Sequence, residues 1–291
     1  ASDVYKRQAY NPPHSFEDIM LKGPFKSWHH IHKFENTPDG KVKIHDKVNY
    51  RLPMGFLGNI VAGRMIKKRL TRMFTAREIR LERDLQRHAE FKHLKRKKIL
   101  VAGSSGLIGR QLVAFLDTGG HDVWRLVRRS VKPDCKEISW SPDSGDLDAK
   151  QLEGFDTIIH LGGAGIGDKR WSKSRMRLIE ESRTISTTLL SETIANLKKK
   201  PESFIVASAV GWYGERGDEI LDENSTAGKG FLPETCARWE DSCQAAKAAG
   251  VRTVHLRTGI VLDATGGALG KMLLPCLLYT SPSPRDSMTS R

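Results

Sequence analysis

The chain of 291 residues carries 48 Lys and Arg against 34 Asp and Glu, a formal net charge of +14, with 38% hydrophobic and 28% charged residues. That balance is ordinary for a soluble globular protein with room for about two domains, and no stretch approaches the roughly 18 consecutive apolar residues of a membrane-spanning helix. The cysteines, Cys135, Cys236, Cys243 and Cys276, show neither metal-ligand spacing nor a disulfide framework, so a reducing cytoplasm is the natural setting.

Both ends stand apart from the rest. Residues 1–8 and 276–291, the second opening Cys276-Leu-Leu-Tyr-Thr-Ser-Pro-Ser-Pro-Arg-Asp286, resemble the translation of a sequencing-library adaptor, which implies a natural protein cut at both ends and two tails with no fold of their own. The positive charge is concentrated early, since residues 9–97 carry 20 Lys and Arg against 9 Asp and Glu. Such asymmetry can suit a nucleic acid or a membrane surface. The basic stretch lacks interleaved aromatics and any recognisable nucleic-acid module, however, so a solvated helix face is expected and no nucleic-acid partner.

In chain order the first clear strand is Trp28 to Phe34, whose alternation puts Trp28, His30, His32 and Phe34 on one face. Imidazoles converging there raise the question of a metal, yet no carboxylate or cysteine stands at ligand spacing beside them. The expectation is a strand lining a half-buried sheet, its histidines hydrogen-bonded or wet and no metal bound. Thr37-Pro-Asp-Gly40 reads as a turn, and Lys41 to Leu52 alternates through Val42, Ile44, Val48 and Tyr50, which completes a β-hairpin. Pro53-Met-Gly-Phe-Leu-Gly58 breaks the strand, and from Asn59 to about His93 apolar residues recur at helical spacing with most of the arginines on the other face. Gly23-Pro-Phe-Lys-Ser-Trp28, Asp46-Lys-Val-Asn-Tyr50, Leu52-Pro-Met-Gly55 and Met73-Phe74 resemble the closing half of a START-like domain of the SRPBCC superfamily, over residues 9–94. The resemblance implies a curved sheet gripping a helix around an apolar ligand, with the earlier elements of that fold missing.

Residues 95–97 form a basic linker, and from Lys98 the pattern changes. Ile99 to Ala102 suits a buried parallel strand, while Leu107, Ile108, Leu112, Val113 and Leu116 recur as on an amphipathic helix. Gly103, Gly106 and Gly109 fall at the join: the first allows a tight turn, the second the approach of a pyrophosphate, the third close packing of helix on strand. Ser104, Ser105, Leu107 and Ile108 complete this candidate cofactor turn, whose free helix amides face a phosphate. After the next strand, His121 to Val127, NAD would require an Asp or Glu to accept from its ribose. Arg125-Leu-Val-Arg-Arg129 stands there instead, so Arg128 and Arg129 are candidates for a 2′-phosphate, and NADP is favoured over NAD. Glu137 to Trp140, Phe155 to Leu161, Phe204 to Ala207 and Val251 to Leu256 read as further strands, with helices from Ser172 to about Lys198 and from Cys236 to Ala249. Gly162, Gly163 and Ala164, past the end of one strand, are further cofactor candidates. Residues 98–275 thus read as an α/β, Rossmann-like doubly wound parallel sheet, incomplete at its C-terminal end and preceded by a partial α+β helix-grip domain.

Gly103-Ser-Ser-Gly-Leu-Ile-Gly109, His160-Leu-Gly-Gly-Ala164, Ser208-Ala-Val-Gly-Trp-Tyr-Gly214 and Leu256-Arg-Thr-Gly-Ile-Val261 together resemble the extended short-chain dehydrogenase/reductases. Trp140-Ser-Pro142, Gly211-Trp-Tyr-Gly-Glu-Arg-Gly-Asp218, Gly230-Phe-Leu-Pro-Glu234 and Trp239-Glu240 narrow the resemblance to an atypical epimerase-family, cell-division-inhibitor-like group, in which an SRPBCC domain can come first. The resemblance implies an NAD(P) cofactor, contacted in part by Ser208, and a small-molecule substrate. It also implies a tyrosine base helped by a lysine four residues on, because a free phenol with a pKa of about 10 is a poor base at neutral pH. No such dyad is present, and the residue four after Tyr213 is Gly217. Ser208 matches the family's serine, so Ser208 and Tyr213 are the candidate catalytic residues, with Glu234 the nearest other acid. Two functions stand as expectations: an NADP-dependent reductase or epimerase on a small substrate, or an NADP-loaded regulatory or lipid-binding protein without catalysis.

Overall fold

Four strands, β1 (Tyr5–Asn11), β2 (Ser15–Met20), β3 (Ser27–Asn36) and β4 (Val42–Arg51), pair in sequence order as an antiparallel meander. The computed structural model describes residues 5–53, 55–263, 266–270 and 272, and the chain divides after Glu90 into two compact units. Residues Tyr5 to Gln8, expected to have no fold, belong to β1, with Tyr5 opposite Met20 and Asn11 opposite Ser15. The reading of residues 9–27 missed β2 for a physical reason: every residue of Ser15–Met20 is half-buried, so the strand carries no inside-outside alternation. β3 and β4 meet as expected, with Trp28 opposite Tyr50, His30 opposite Val48, His32 opposite Asp46 and Phe34 opposite Ile44. The long helix α1 (Gly55–Glu90) crosses this face, where Phe74 meets the ring of His30 edge-on at 5.5 Å and Arg77 reaches Asp46 at 3.5 Å.

The second unit is a parallel sheet of six strands: β5 (Lys98–Ala102), β6 (Asp122–Val127), β7 (Glu137–Ser139), β8 (Thr157–His160), β9 (Ser203–Ala209) and β10 (Arg252–Thr258). They lie in the order β10-β9-β8-β5-β6-β7, so the chain starts in the middle and winds outward both ways. Helix α2 (Leu107–Thr118) covers one face, where Val101, Val113, Val123 and Ile159 pack together. On the other face α3 (Lys173–Asn196) and α4 (Phe231–Asp241) close a larger core with Leu100, Phe155, Ile158, Leu190, Phe204 and Trp239. Full burial of such side chains contributes roughly 1.5–3 kcal/mol each, which explains why β5 and β8, buried along almost their whole length, form the centre.

The helix expected over Cys236 to Ala249 is two helices. α4 starts five residues earlier, after Gly230 at φ +108°, and α5 (Gln244–Ala248) is separate. At the break the Ser242 N–H and hydroxyl both donate to the Arg238 carbonyl, and the Cys243 N–H bonds three residues back, to Glu240, where a continuing helix would bond four back. Ser172 caps α3 as expected, accepting from the Arg175 N–H. Among the described residues no helix is long and apolar enough to cross a membrane.

Candidate functional site

β5 ends where the winding of the sheet reverses, between β6 and β8, the place where open α/β sheets leave a crevice. Gly103 turns the chain there at φ +81°, and a Cβ on it would lie 2.8 Å from the Gly162 nitrogen. Gly109, on the first turn of α2, would bring a Cβ to 2.2 Å from the Gly103 carbonyl oxygen. Both positions therefore exclude any side chain, and the turn can be this tight only because they are bare. Gly106 caps α2 in extended conformation without a capping side chain, so the first amides of the helix lack an intrahelical acceptor and suit an anionic oxygen.

A cleft of about 890 Å³ opens above this turn, within the ~300–1,000 Å³ range of ligand and cofactor sites. Gly103, Ser104 and Ser105 form its floor, with Gly162 and Gly163 on the β8 side and Arg128 and Arg129 on the β6 side. Arg110, Arg125 and Lys132 add further positive charge. Gly106, Leu107, Ile108 and Gly109 shape the turn without lining the cleft, and Ala164, Ser208 and Tyr213 also lie outside its lining.

The two arginines part company. Both terminal nitrogens of Arg129 bond to Glu137, at 2.9 and 2.7 Å, and the Lys132 N–H adds a third bond to the same carboxylate. These bonds hold the Glu137 carboxyl down at about 2. Arg129 thus lines the cleft with a carboxylate partner already in place. Arg128 is exposed and, among the described residues, has no carboxylate partner.

His160, the last residue of β8, is fully buried. Burial, with Arg183 and Arg128 nearby, lowers its pKa to about 4, so the ring is neutral at physiological pH. Its Nδ1 accepts from the Gly162 N–H at 3.4 Å and its Nε2 donates to the Ser186 hydroxyl at 2.9 Å, which in turn donates to the Ser182 carbonyl at 2.8 Å. This relay ties the glycine loop to α3. Gly162 must be glycine, since a Cβ would meet the His160 ring at 2.7 Å, and Gly163 leaves room for the buried Arg183 side chain. Ala164 serves through its backbone, whose N–H donates to the Ser182 hydroxyl at 2.9 Å.

The corner expected to hold the catalytic residues is a buried ion-pair network. The Ser208 hydroxyl donates to Glu240 Oε1 at 2.7 Å, and Arg257 from β10 grips both oxygens of the same carboxylate at 2.9 Å. His255 stands 3.1 Å from Oε2, and Arg257 also donates to the Tyr213 hydroxyl at 3.2 Å. Burial alone would raise the Glu240 pKa, but the hydrogen bonds from Arg257, His255 and Ser208 outweigh it and hold the carboxyl at about 2. α4, where the resemblance places the tyrosine-lysine dyad, turns Cys236 and Glu240 toward β9 instead, with the Cys236 sulfur 3.9 Å from the Ala209 carbonyl. Burial first, and Glu240 second, push the Cys236 thiol up. Glu234 lies exposed on the same helix. Sequence reasoning passed over Glu240 and Arg257 as site residues; the available signal was an acid four residues from Cys236, on the same helix face as the otherwise buried Trp239 and Cys236.

A profile described as "NAD dependent epimerase/dehydratase family" matches residues 99–261. The epimerase family protein Mb2239 of Mycobacterium bovis is 40% identical over 174 residues, which cover 60% of this chain and 57% of that protein. YfhF of Bacillus subtilis is 33% identical over 180 residues, 61% of this chain and 59% of its own. The chain therefore spans about three fifths of the length of the curated relatives it matches. Among solved structures, a nucleoside-diphosphate sugar epimerase from Corynebacterium glutamicum superposes with a TM-score of 0.74 at 35% identity, covering 94% of this chain and 56% of the other. Human epimerase family protein SDR39U1, solved with NADPH, gives a TM-score of 0.55 at 29% identity over 62% of this chain and 59% of its own. With the glycine turn, the sheet order and the cleft in agreement, the chain belongs to the NAD-dependent epimerase/dehydratase family.

Proposed function

We propose that the second unit binds NADP(H) in the cleft above Gly103 and acts as an atypical oxidoreductase or epimerase on a small substrate. The observation that carries the choice of NADP is Arg128, an exposed guanidinium on the cleft wall with no carboxylate partner among the described residues, beside an Arg129 already bound to Glu137. The likeness to a human relative solved with NADPH supports the same reading. The residues present fit the group: Gly103 and Gly109 admit no Cβ, which keeps the turn tight at the start of α2, and the floor offers Ser104 and Ser105. A bound nicotinamide would supply hydride transfer; the chain itself supplies the turn, the cation and the loop fixed by His160.

A charge-assisted contact contributes about 1.5–3 kcal/mol, so Arg128→Ala should weaken NADPH binding roughly 10- to 100-fold and leave NADH binding nearly unchanged. Titration calorimetry with both cofactors measures this. Equal affinity of the unaltered protein for NADH and NADPH would overturn the NADP assignment.

A second reading is favoured by the Ser208 corner, where the hydroxyl is engaged by Glu240 and no lysine follows Tyr213 at four residues. On that reading the cofactor-loaded unit regulates or binds and does not turn over, while the first unit, with its antiparallel sheet and long helix, takes an apolar ligand as the SRPBCC resemblance implies. NADPH consumption with carbonyl compounds and epimer formation from nucleotide sugars, followed by NMR, separate the two: the first reading requires one of these turnovers and the second excludes both. The free thiols of Cys135, Cys236 and Cys243 suit a reducing compartment for either reading.

A further inference from the structure

In the first unit, strand pairing supplies what the local sequence lacks. His30 and His32 lie on one face of β3, and β4 places Asp46 directly opposite His32. Asp46 Oδ1 stands 2.6 Å from His32 Nδ1 and 3.1 Å from His30 Nε2. Each of the three residues offers one ligand atom, and all these atoms lie within 4.8 Å of one another. We propose that His30, His32 and Asp46 form a binding site for a divalent transition-metal ion of the zinc type.

Three features support a ligand here beyond the clustering itself. First, the His32 side chain is only 5% exposed, and its buried Nδ1 is aimed into the cluster, 2.6 Å from Asp46 Oδ1 but outside hydrogen-bond geometry. Second, the surrounding groups hold the ligands in place. Phe16 stacks on His32 at 4.0 Å, Phe74 closes over His30, and Arg77 takes the other Asp46 oxygen, leaving Oδ1 to the imidazoles. Asp18 stands 3.9 Å from His32 Nε2, on the side where a metal-bound imidazole usually finds an orienting carboxylate. Third, the chemistry matches, since two imidazoles and one carboxylate form the borderline nitrogen-oxygen set that zinc accepts, with a fourth position left for water or a ligand.

The geometry is near closure. Bonds of about 2.0–2.1 Å in a tetrahedron put neighbouring ligand atoms about 3.4 Å apart. Asp46 Oδ1, now 2.6 and 3.1 Å from the two ring nitrogens, must move slightly away from them, and shifts of about 1 Å, within the freedom of side-chain torsions, bring all three atoms to that spacing.

The test uses the full chain, stripped with a chelator and titrated with Co²⁺ followed by visible absorption, and with Zn²⁺ by calorimetry. One equivalent should bind, and His30→Gln, His32→Gln and Asp46→Asn should each weaken binding at least tenfold. His29→Gln removes an imidazole that bonds to Glu17 outside the cluster and should change nothing. If a variant does not fold, X-ray absorption of the Zn²⁺-loaded unaltered protein decides, since it must report two imidazole nitrogens. No saturable Co²⁺ binding, equal loss with His29→Gln, or a shell without two imidazoles would overturn the assignment and leave a simple hydrogen-bonded cluster.

Discussion

Glu240 carries more of the second unit than its single letter suggests. Ser208, His255 and both forks of Arg257 converge on one carboxylate that is itself nearly buried. Removing one charge from such a set strands the other, so Glu240→Gln should destabilise the protein by about 2–4 kcal/mol. Ser208→Ala removes one hydrogen bond and should cost about 1 kcal/mol. Urea midpoints of both variants check the order. If Ser208→Ala abolished turnover at unchanged stability, the serine would be catalytic after all, whereas loss of stability with turnover intact would confine it to the network. At this scale the sequence shows which residues are unusual but not whom they meet. Arg129 and Glu137 lie eight positions apart and Ser208 and Glu240 thirty-two apart, and only the sheet brings the partners together.

The turn from β5 into α2 was legible because its signal is local. Gly103 answers a local demand through its positive φ and Gly109 through the Gly103 carbonyl it must clear, whereas the close approach of Gly103 to Gly162 is a long-range demand that the local pattern does not show. Gly109→Ala must push a methyl carbon against the Gly103 carbonyl, 2.2 Å away, which no side-chain rotation relieves. The expected outcome is a loss of about 1–3 kcal/mol in stability together with weakened cofactor binding, read by thermal unfolding with and without NADPH. An alanine variant that melts like the parent would show that α2 can shift freely at its start. Elements whose signal is not local were harder to read. β2 has no alternation to detect, and the join between α4 and α5 is a single tightened bond, from the Cys243 N–H to the Glu240 carbonyl, with no glycine or proline to announce it.

Taken whole, the second unit should lose stability in two stages as the pH falls. The His160 pKa is depressed to about 4 in the folded chain against 6.5 for the free side chain, so the unfolded chain binds the extra proton between those values. Stability therefore falls as the pH drops from about 6.5 to about 4, by on the order of 3 kcal/mol. Glu137 and Glu240, both held at about 2 against 4.5, contribute stability that is present above 4.5 and lost as the pH falls toward 2. Urea titrations from pH 8 to pH 3 should show both stages, and His160→Asn should flatten the first alone. A slope that survives that substitution would assign the first stage to other groups. The doubly wound architecture itself was readable from the alternation of strands and helices, because each apolar run of a parallel sheet must be buried on both faces.

Arg257 closes the Glu240 network from the edge of the sheet. It belongs to β10, among the described residues the edge strand of the six on its side, yet it neutralises a carboxylate on α4 that is made seventeen residues earlier. During synthesis the sheet can grow outward from β5, but Glu240 lacks its cationic partner until residue 257 has been made and β10 has docked on β9. The corner beside Ser208 is thus a marker of completed folding: a nascent chain halted before Arg257 keeps that region open to solvent exchange, and one that passes it snaps shut.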